Sequence, residues 1–118
     1  MRLVIVGVCA SGKTTLVKAL RDLGIDAYNV AQEHSVIKKL WNRTQPDILI
    51  VLDAQLMSIR QRRTVSWGEE RLAAQRKRLD DACQHADLYI QTDELSKDEI
   101  VQCVLEHIRR NRYAKNYS

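Results

Sequence analysis

The stretch GVCASGKTT, residues 7–15, decides how this sequence folds, because glycines bracket its loop and a lysine and two threonines end it. It fits the pattern G-x-x-x-x-G-K-S/T through Gly7, Gly12, Lys13 and Thr14. The glycines let the backbone curl so that successive N–H groups point inward, towards an anion. A helix that begins near Lys13 adds the positive end of its dipole. The sequence therefore predicts a loop that holds phosphate.

Strand-like and helix-like segments alternate along the rest of the chain. RLVIV at residues 2–6 is the continuous apolar run of a central parallel strand, and the helix-spaced Leu16, Val17 and Leu20 follow the loop. Such alternation predicts an α/β protein with three α/β/α layers, a mostly parallel sheet and right-handed crossovers. The predicted strands are residues 2–6, 25–31, 48–53 and 87–92.

Further helices are predicted from apolar spacing and from two capping boxes, SWGE at residues 66–69 and SKDE at residues 96–99. The first box begins a long polar helix to about residue 86, and the second begins the last helix. A helix over residues 35–42 would have one apolar face, made of Val36, Ile37, Leu40 and Trp41. The stripe of the long polar helix would be Leu72, Leu79, Cys83 and Ala86.

Length and composition describe one domain, residues 1–118, with a basic and flexible tail over about residues 109–118. Hydrophobic residues make up 45% of the chain, and no apolar run approaches the roughly 18–20 residues of a membrane span. No signal-peptide pattern is found. Three cysteines, an odd number without metal-ligand spacing, favour reduced thiols in a cytoplasmic protein.

The loop assigns roles to individual residues. Lys13 is expected to reach the β- and γ-phosphates of a nucleoside triphosphate, and the hydroxyl of Thr14 is expected to ligate Mg²⁺. Cys9 is interpreted mainly as a small residue of the loop. The predicted nucleotide-binding residues are Gly7, Val8, Cys9, Ala10, Ser11, Gly12, Lys13, Thr14 and Thr15.

Three segments resemble the small P-loop kinases, the branch of P-loop NTPases that holds shikimate kinase and the nucleoside monophosphate kinases. They are GVCASGKTTL at residues 7–16, DILIVLDAQLMSIRQRR at 47–63 and ADLYIQTDELSKDEIVQCVLEHI at 86–108. The resemblance implies a P-loop NTPase fold, ATP with Mg²⁺, and transfer of the γ-phosphate to a small-molecule acceptor. It also implies that Arg60, Arg62 and Arg63 are lid arginines. Arg60 and Arg63 are favoured to reach the phosphate, because they lie one turn apart. The alternative is a solvated basic face.

Two acids are candidates for the metal or the acceptor. Glu33 follows the second strand and would face the γ-phosphate if that strand lies beside the first, where it could deprotonate an acceptor that His34 contacts. The alternative is a polar helix entry capped by Ser35. Asp53 ends a buried strand, so it is either a metal-side carboxylate or the cap of the next helix.

Other basic and aromatic residues have plainer interpretations. Arg71, Arg76, Lys77 and Arg78 predict a solvated helix face, with Asp80 and Asp81 as surface partners of Arg76 and Lys77. Trp67 is either a stacking platform or, preferably, a hinge packed on the core.

Three functions remain open at the level of sequence. The first is an ATP-dependent phosphotransferase, in which a homodimer is an option because the region between residues 24 and 46 is too short for an acceptor domain. The second is a nucleotide-binding module with slow or no turnover. A nucleic-acid partner is disfavoured, since no base-stacking array accompanies the net charge of +4.

Overall fold

A computed structural model describes residues 1–62 and 67–117, with side chains described to residue 110. Four parallel strands form one sheet in the order β2-β1-β3-β4. The prediction of an α/β protein with four strands is therefore confirmed. The strands are β1 Arg2–Gly7, β2 Asp26–Asn29, β3 Ile48–Asp53 and β4 Leu88–Gln91.

Five α-helices and two short 3₁₀ helices lie within the described residues. The 3₁₀ helices are Gln32–His34, directly after β2, and Leu40–Thr44. The α-helices are α1 Lys13–Asp22, α2 Leu56–Arg62, α3 Glu69–Arg78, α4 Asp80–His85 and α5 Lys97–Tyr117. The helix α5 includes residues 109–117 of the predicted tail, whose flexibility stays a prediction.

The two central strands are apolar along their length because helices cover both faces of the sheet. Leu3 and Ile5 of β1 pack in one buried cluster with residues of α1 and α5. Val4 and Val6 alternate with them and pack in a second cluster with residues of α2, α3 and α4. All six residues of β3 are buried. The sheet thus lies between two helical layers.

The prediction of an α-helix over residues 35–42 is wrong. Val36 is 85% exposed and Ile37 is 45% exposed, whereas Trp41 is buried in the core as predicted. The side chain of Gln32 explains the difference, because it satisfies backbone groups that a helix would otherwise pair. Its Nε2 donates to the carbonyl of Ile37 at 2.7 Å, and its Oε1 accepts from the N–H of Trp41 at 3.0 Å.

The long polar helix is two helices, since α3 ends before Leu79 and α4 begins after it. Its buried stripe also differs from the prediction: Cys83 is exposed, and the fully buried Ala82 takes its place. Both stripes have helical spacing, and the sequence pattern favours the more apolar cysteine over the alanine that the core accommodates.

One of the two predicted capping boxes can be checked in full. The Ser96 N–H donates to Oε1 of Glu99, and the Glu99 N–H donates to Oγ of Ser96, both at 3.1 Å. The second box is thus confirmed. For the first box, α3 begins at Glu69 after Gly68, and Ser66 lies outside the described residues.

Candidate functional site

The loop between β1 and α1 lies at the carboxyl edge of the sheet, and its two glycines occupy places that other residues fit poorly. A Cβ atom at Gly7 would lie 2.3 Å from the backbone carbonyl oxygen of Leu52, on the neighbouring strand. Gly12, the last residue before α1, has a φ of 104°, in the left-handed region. Ala10 is also left-handed, with a φ of 59°. The loop therefore turns sharply twice before the helix begins.

The side chain of Lys13 bends back across this loop and is buried, with 8% of the residue exposed. Its Nζ donates to the carbonyl oxygens of Gly7 at 2.8 Å and Val8 at 2.9 Å. Its third partner is the Oε2 atom of Glu33, at 2.7 Å. The ammonium group is therefore held at the centre of the loop by three acceptors, one of them charged.

Glu33 reaches Lys13 because β2 pairs with β1, as the sequence analysis required for its role at the site. The residue is 3% exposed, and its own carbonyl accepts a hydrogen bond from Arg78 at 3.2 Å. Its Oε1 atom is buried and has no hydrogen-bond partner among the described residues. A buried carboxylate oxygen without a partner is uncommon in a folded protein and calls for an explanation.

A thiol and an imidazole lie beside this carboxylate. The Sγ atom of Cys9 is 3.2 Å from Nε2 of His34, and that nitrogen is 3.9 Å from Oε2 of Glu33. Ligand atoms of these three side chains all lie within 4.8 Å of one another. The buried side chain of Gln75 contacts Cys9 twice. Its Oε1 accepts from the Cys9 N–H at 2.9 Å, and its Nε2 lies 3.5 Å from the sulfur.

These groups face a cavity of about 760 Å³, within the range of small-molecule sites. Thr14 and Thr15 line it and are exposed, and Nδ2 of Asn29 lies 3.4 Å from the hydroxyl of Thr14. The predicted loop residues that line it are Cys9, Ala10, Ser11, Gly12, Lys13, Thr14 and Thr15. Gly7 and Val8 do not line it; their carbonyl oxygens accept hydrogen bonds from Lys13, which does.

Among residues 1–62 and 67–117, the arginine that lines this cavity is Arg62 and not the favoured Arg60. Its guanidinium donates to the carbonyl of Ala10 at 3.2 Å, to the hydroxyl of Thr92 at 3.0 Å and to the carbonyl of Thr92. Arg60 is exposed on the same helix and does not line the cavity, and Arg63 lies outside the described residues.

Asp53 lies at the end of β3 and lines a different, smaller cavity of about 380 Å³. Its Oδ1 accepts from the Ala54 N–H at 2.9 Å and from Nε of Arg76 at 3.3 Å, and its Oδ2 accepts from the hydroxyl of Tyr89. Burial and the Asp53 carboxylate raise the pKa of the Tyr89 phenol above its usual range. Each oxygen of the carboxylate thus accepts at least one hydrogen bond from a protein group.

The interpretation of Arg76 as a surface residue is corrected by its contact with Asp53. Its guanidinium pairs with Asp53 and with the carbonyl of Ala54, not with Asp80. Asp81 instead accepts from the indole N–H of Trp41 and pairs with Lys39. Trp67 packs half-buried against the second apolar cluster, as the hinge interpretation has it.

Gln75, Asn29 and Thr92 build this site and are not predicted from the sequence, whereas Arg62 is predicted as one of three lid arginines but not as the favoured one. Gln75, 1% exposed, stands at helical spacing between Leu72 and Leu79, and an amide within an apolar stripe was the available signal. Arg62 continues the three-residue spacing of the buried Leu56 and Ile59, which marks the inner face of α2. No local pattern marks Asn29 or Thr92.

No protein-family model matches the sequence of this chain, and no curated protein matches it. Within residues 1–62 and 67–117, none of the helices combines the length and the apolar character that a membrane crossing needs.

Proposed function

We propose that the chain is a P-loop protein that binds ATP and transfers the γ-phosphate to a small-molecule acceptor. The observation that carries the proposal is the geometry of Lys13. Its buried ammonium group bends back over a glycine-bracketed loop between a parallel strand and a helix N-terminus, beside a cavity of about 760 Å³. A cation, a helix dipole and curled backbone together favour a polyphosphate.

In this proposal the phosphates of ATP take over the contacts that Lys13 makes in the structure. Backbone N–H groups of the loop and the first turn of α1 cradle the phosphates, and Lys13 neutralises the β- and γ-phosphates. The exposed hydroxyl of Thr14 faces the cavity and would hold Mg²⁺, which polarises the phosphoryl group when bound.

Glu33 is the acid that we propose to orient or deprotonate the acceptor. It lines the cavity and has one oxygen without a partner among the described residues. Asp53 is the weaker candidate for the metal, because both of its oxygens accept hydrogen bonds and it lines another cavity. An acid with free capacity beside the phosphates is better suited to proton transfer or water-mediated metal contact.

Arg62 is the lid arginine that we propose to stabilise the transferring phosphoryl group, in place of Arg60. A guanidinium suits this role since it is planar and permanently charged. Arg62 lines the cavity, and its present acceptors are main-chain oxygens and a hydroxyl rather than a carboxylate. These acceptors are neutral, so a phosphate can replace them as partners of the guanidinium.

The second candidate is a nucleotide-binding module with slow or no turnover. The connection from the 3₁₀ helix Gln32–His34 to β3 favours it. Residues 35–47 contain only a short 3₁₀ helix, Leu40–Thr44, and no folded unit that could enclose an acceptor. Under the first proposal, a second copy of the chain is the natural source of the missing enclosure, and the acceptor site then depends on dimer formation.

The experiment is a measurement of Mg·ATP binding and of ADP formation, with and without a pool of small cell metabolites. Lys13→Ala is the test variant, and Lys18→Ala, at an exposed position of the same helix, is the matched control. Turnover that requires the pool and disappears only in Lys13→Ala supports the phosphotransferase. Binding without ADP formation supports the module, and equal ATP binding by Lys13→Ala and the wild type contradicts both.

A further inference from the structure

Cys9, Glu33 and His34 form a cluster of metal-ligating side chains at the loop that we propose to hold phosphate. They come from two elements, the loop after β1 and the 3₁₀ helix after β2, so no local spacing in the sequence announces them. Their ligand atoms lie within 4.8 Å of one another. We propose that these three side chains bind a divalent transition-metal ion, Zn²⁺, with its fourth coordination position open to the cavity.

The thiol and the imidazole are spaced for a tetrahedral ion. Zinc bonds of roughly 2.3 Å to sulfur and 2.0–2.1 Å to nitrogen place the two ligand atoms about 3.5 Å apart at a tetrahedral angle. The Sγ of Cys9 and the Nε2 of His34 are 3.2 Å apart, close to that spacing. The Glu33 carboxylate lies farther away, with Oε2 3.9 Å from the same nitrogen and the ligand atoms of the cluster within 4.8 Å of one another, so the exposed His34 side chain has to turn towards it for coordination.

The unsatisfied oxygen of Glu33 is the independent sign of a ligand. The side chain is 4% exposed, and Lys13 takes only Oε2. Oε1 has no partner among the residues that the structure describes. A carboxylate can hold the lysine with one oxygen and a metal ion with the other, and this arrangement removes the cost of the buried unpaired atom.

Residues around the cluster hold its ligands in place, as the outer shell of a metal site does. Gln75 fixes the backbone of Cys9 and contacts its sulfur, and Arg78 fixes the carbonyl of Glu33. Such outer contacts hold ligands in place and tune the ion. The thiolate and the carboxylate carry two negative charges, of which Lys13 balances one, so the site keeps one net negative charge towards a dication. Sulfur with nitrogen ligands favours zinc over magnesium.

The three ligands also line the 760 Å³ cavity, so an exogenous ligand can reach the fourth position of the ion. A site with three protein ligands and one open position is the arrangement of reactive zinc, whereas structural zinc has four protein ligands. Zinc binding at this site requires no nucleotide.

The test titrates Zn²⁺ into the purified, metal-free chain against a chromophoric chelator, and repeats the titration with Co²⁺ as a spectroscopic probe. We expect one ion per chain, a thiolate-to-Co²⁺ charge-transfer band, and tetrahedral Co²⁺ absorption. Cys9→Ser and His34→Gln should each weaken binding by at least about 100-fold, the upper end of what loss of an outer-shell partner costs. His34 is 58% exposed at its side chain, so that variant retains the fold even if Cys9→Ser does not.

The matched controls are Cys103→Ser and His107→Gln, which stand one turn apart on α5 and outside the cluster. They should bind zinc as the wild type does. Wild-type affinity in His34→Gln, or a Co²⁺ spectrum without a thiolate band, overturns the proposal. Because no nucleotide is present, failure here leaves the ATP-binding proposal intact, and failure of Lys13→Ala to lose ATP leaves this one intact.

Discussion

Two carboxylates at the same edge of the sheet have opposite surroundings. Glu33 pairs with Lys13, and their side chains are 4% and 9% exposed; Asp53 pairs with Arg76, and theirs are 12% and 40% exposed. Both oxygens of Asp53 have protein partners, whereas the deeper Glu33 keeps Oε1 without one among the described residues. A fully paired acid fastens neighbouring elements together. A buried acid with unused capacity beside a cavity is available to a ligand.

The largest effect is expected at the deeper pair. Lys13→Met leaves the Glu33 carboxylate buried without its cation and should lower the free energy of unfolding by about 3 kcal/mol. Adding Glu33→Gln should restore most of this loss, since no buried charge then remains. Urea unfolding of the single and double variants measures both effects.

Lys18→Met is the control for the loss of a lysine from α1, because Lys18 is exposed. If Lys13→Met and Lys18→Met are equally stable, the pair contributes nothing and the contrast between the two acids fails.

Gly12→Ala should have an intermediate effect. No atom lies within 4 Å of the added Cβ, so the expected cost is that of a left-handed backbone alone, about 1–2 kcal/mol. Gly24→Ala is the matched control, with a φ of 81° and equally open surroundings away from the cavity. Both variants should lose similar stability in thermal unfolding, and only Gly12→Ala should lose ATP affinity. Equal ATP affinity in the two would contradict a role for the loop backbone.

Arg76→Met tests the shallower pair and should cost at most about 1 kcal/mol, because solvent screens a partly exposed ion pair. Arg71→Met, at an exposed position of the same helix, is the reference. The Mg²⁺ dependence of ATP binding should be the same in both. A changed Mg²⁺ dependence in Arg76→Met alone would mean that Asp53, not Glu33, serves the metal.

The smallest effect at neutral pH is expected for Tyr89→Phe, and the stability difference from the wild type shrinks as the pH rises above about 10. Burial and Asp53 raise the folded-state pKa of Tyr89, so the unfolded chain loses its phenolic proton first, from about pH 10. The stabilisation is therefore complete below pH 10 and is lost as the pH rises through the folded-state pKa. Between about pH 8 and 11, the free energy of unfolding should fall more steeply with pH for the wild type than for Tyr89→Phe. Identical slopes would contradict the contact.

Most of the fold follows from local sequence. The apolar runs of β1 and β3 predict central strands because each needs cover on both faces. Ser96 and Glu99 predict the start of α5, since capping depends on residues three positions apart. Such signals survive folding because their partners are close in the chain.

The parts that sequence reasoning missed depend on partners far apart in the chain. Gln75 contacts Cys9 across 66 positions, and Arg62 contacts Ala10 across 52. Their roles depend on where helices sit against the sheet, which spacing within one helix does not determine. The resemblance implies Arg62 as one of three lid arginines, and the preference for Arg60 and Arg63 rests on their one-turn spacing. The buried pair of Leu56 and Ile59, on the same helix face as Arg62, is the better indication.

Gln32 has a consequence for the cooperativity of the molecule. Its one amide bonds to backbone groups of Ile37, Trp41 and Arg78, and so replaces repeating backbone hydrogen bonds in a segment with little regular structure. Order in residues 35–42 then rests largely on two side chains from outside the segment, Gln32 and Asp81, rather than on a ladder. We expect this segment to open as its own unit, at a free energy below that of global unfolding. Native-state hydrogen exchange measures this, and exchange of the Trp41 N–H only through global unfolding would contradict it.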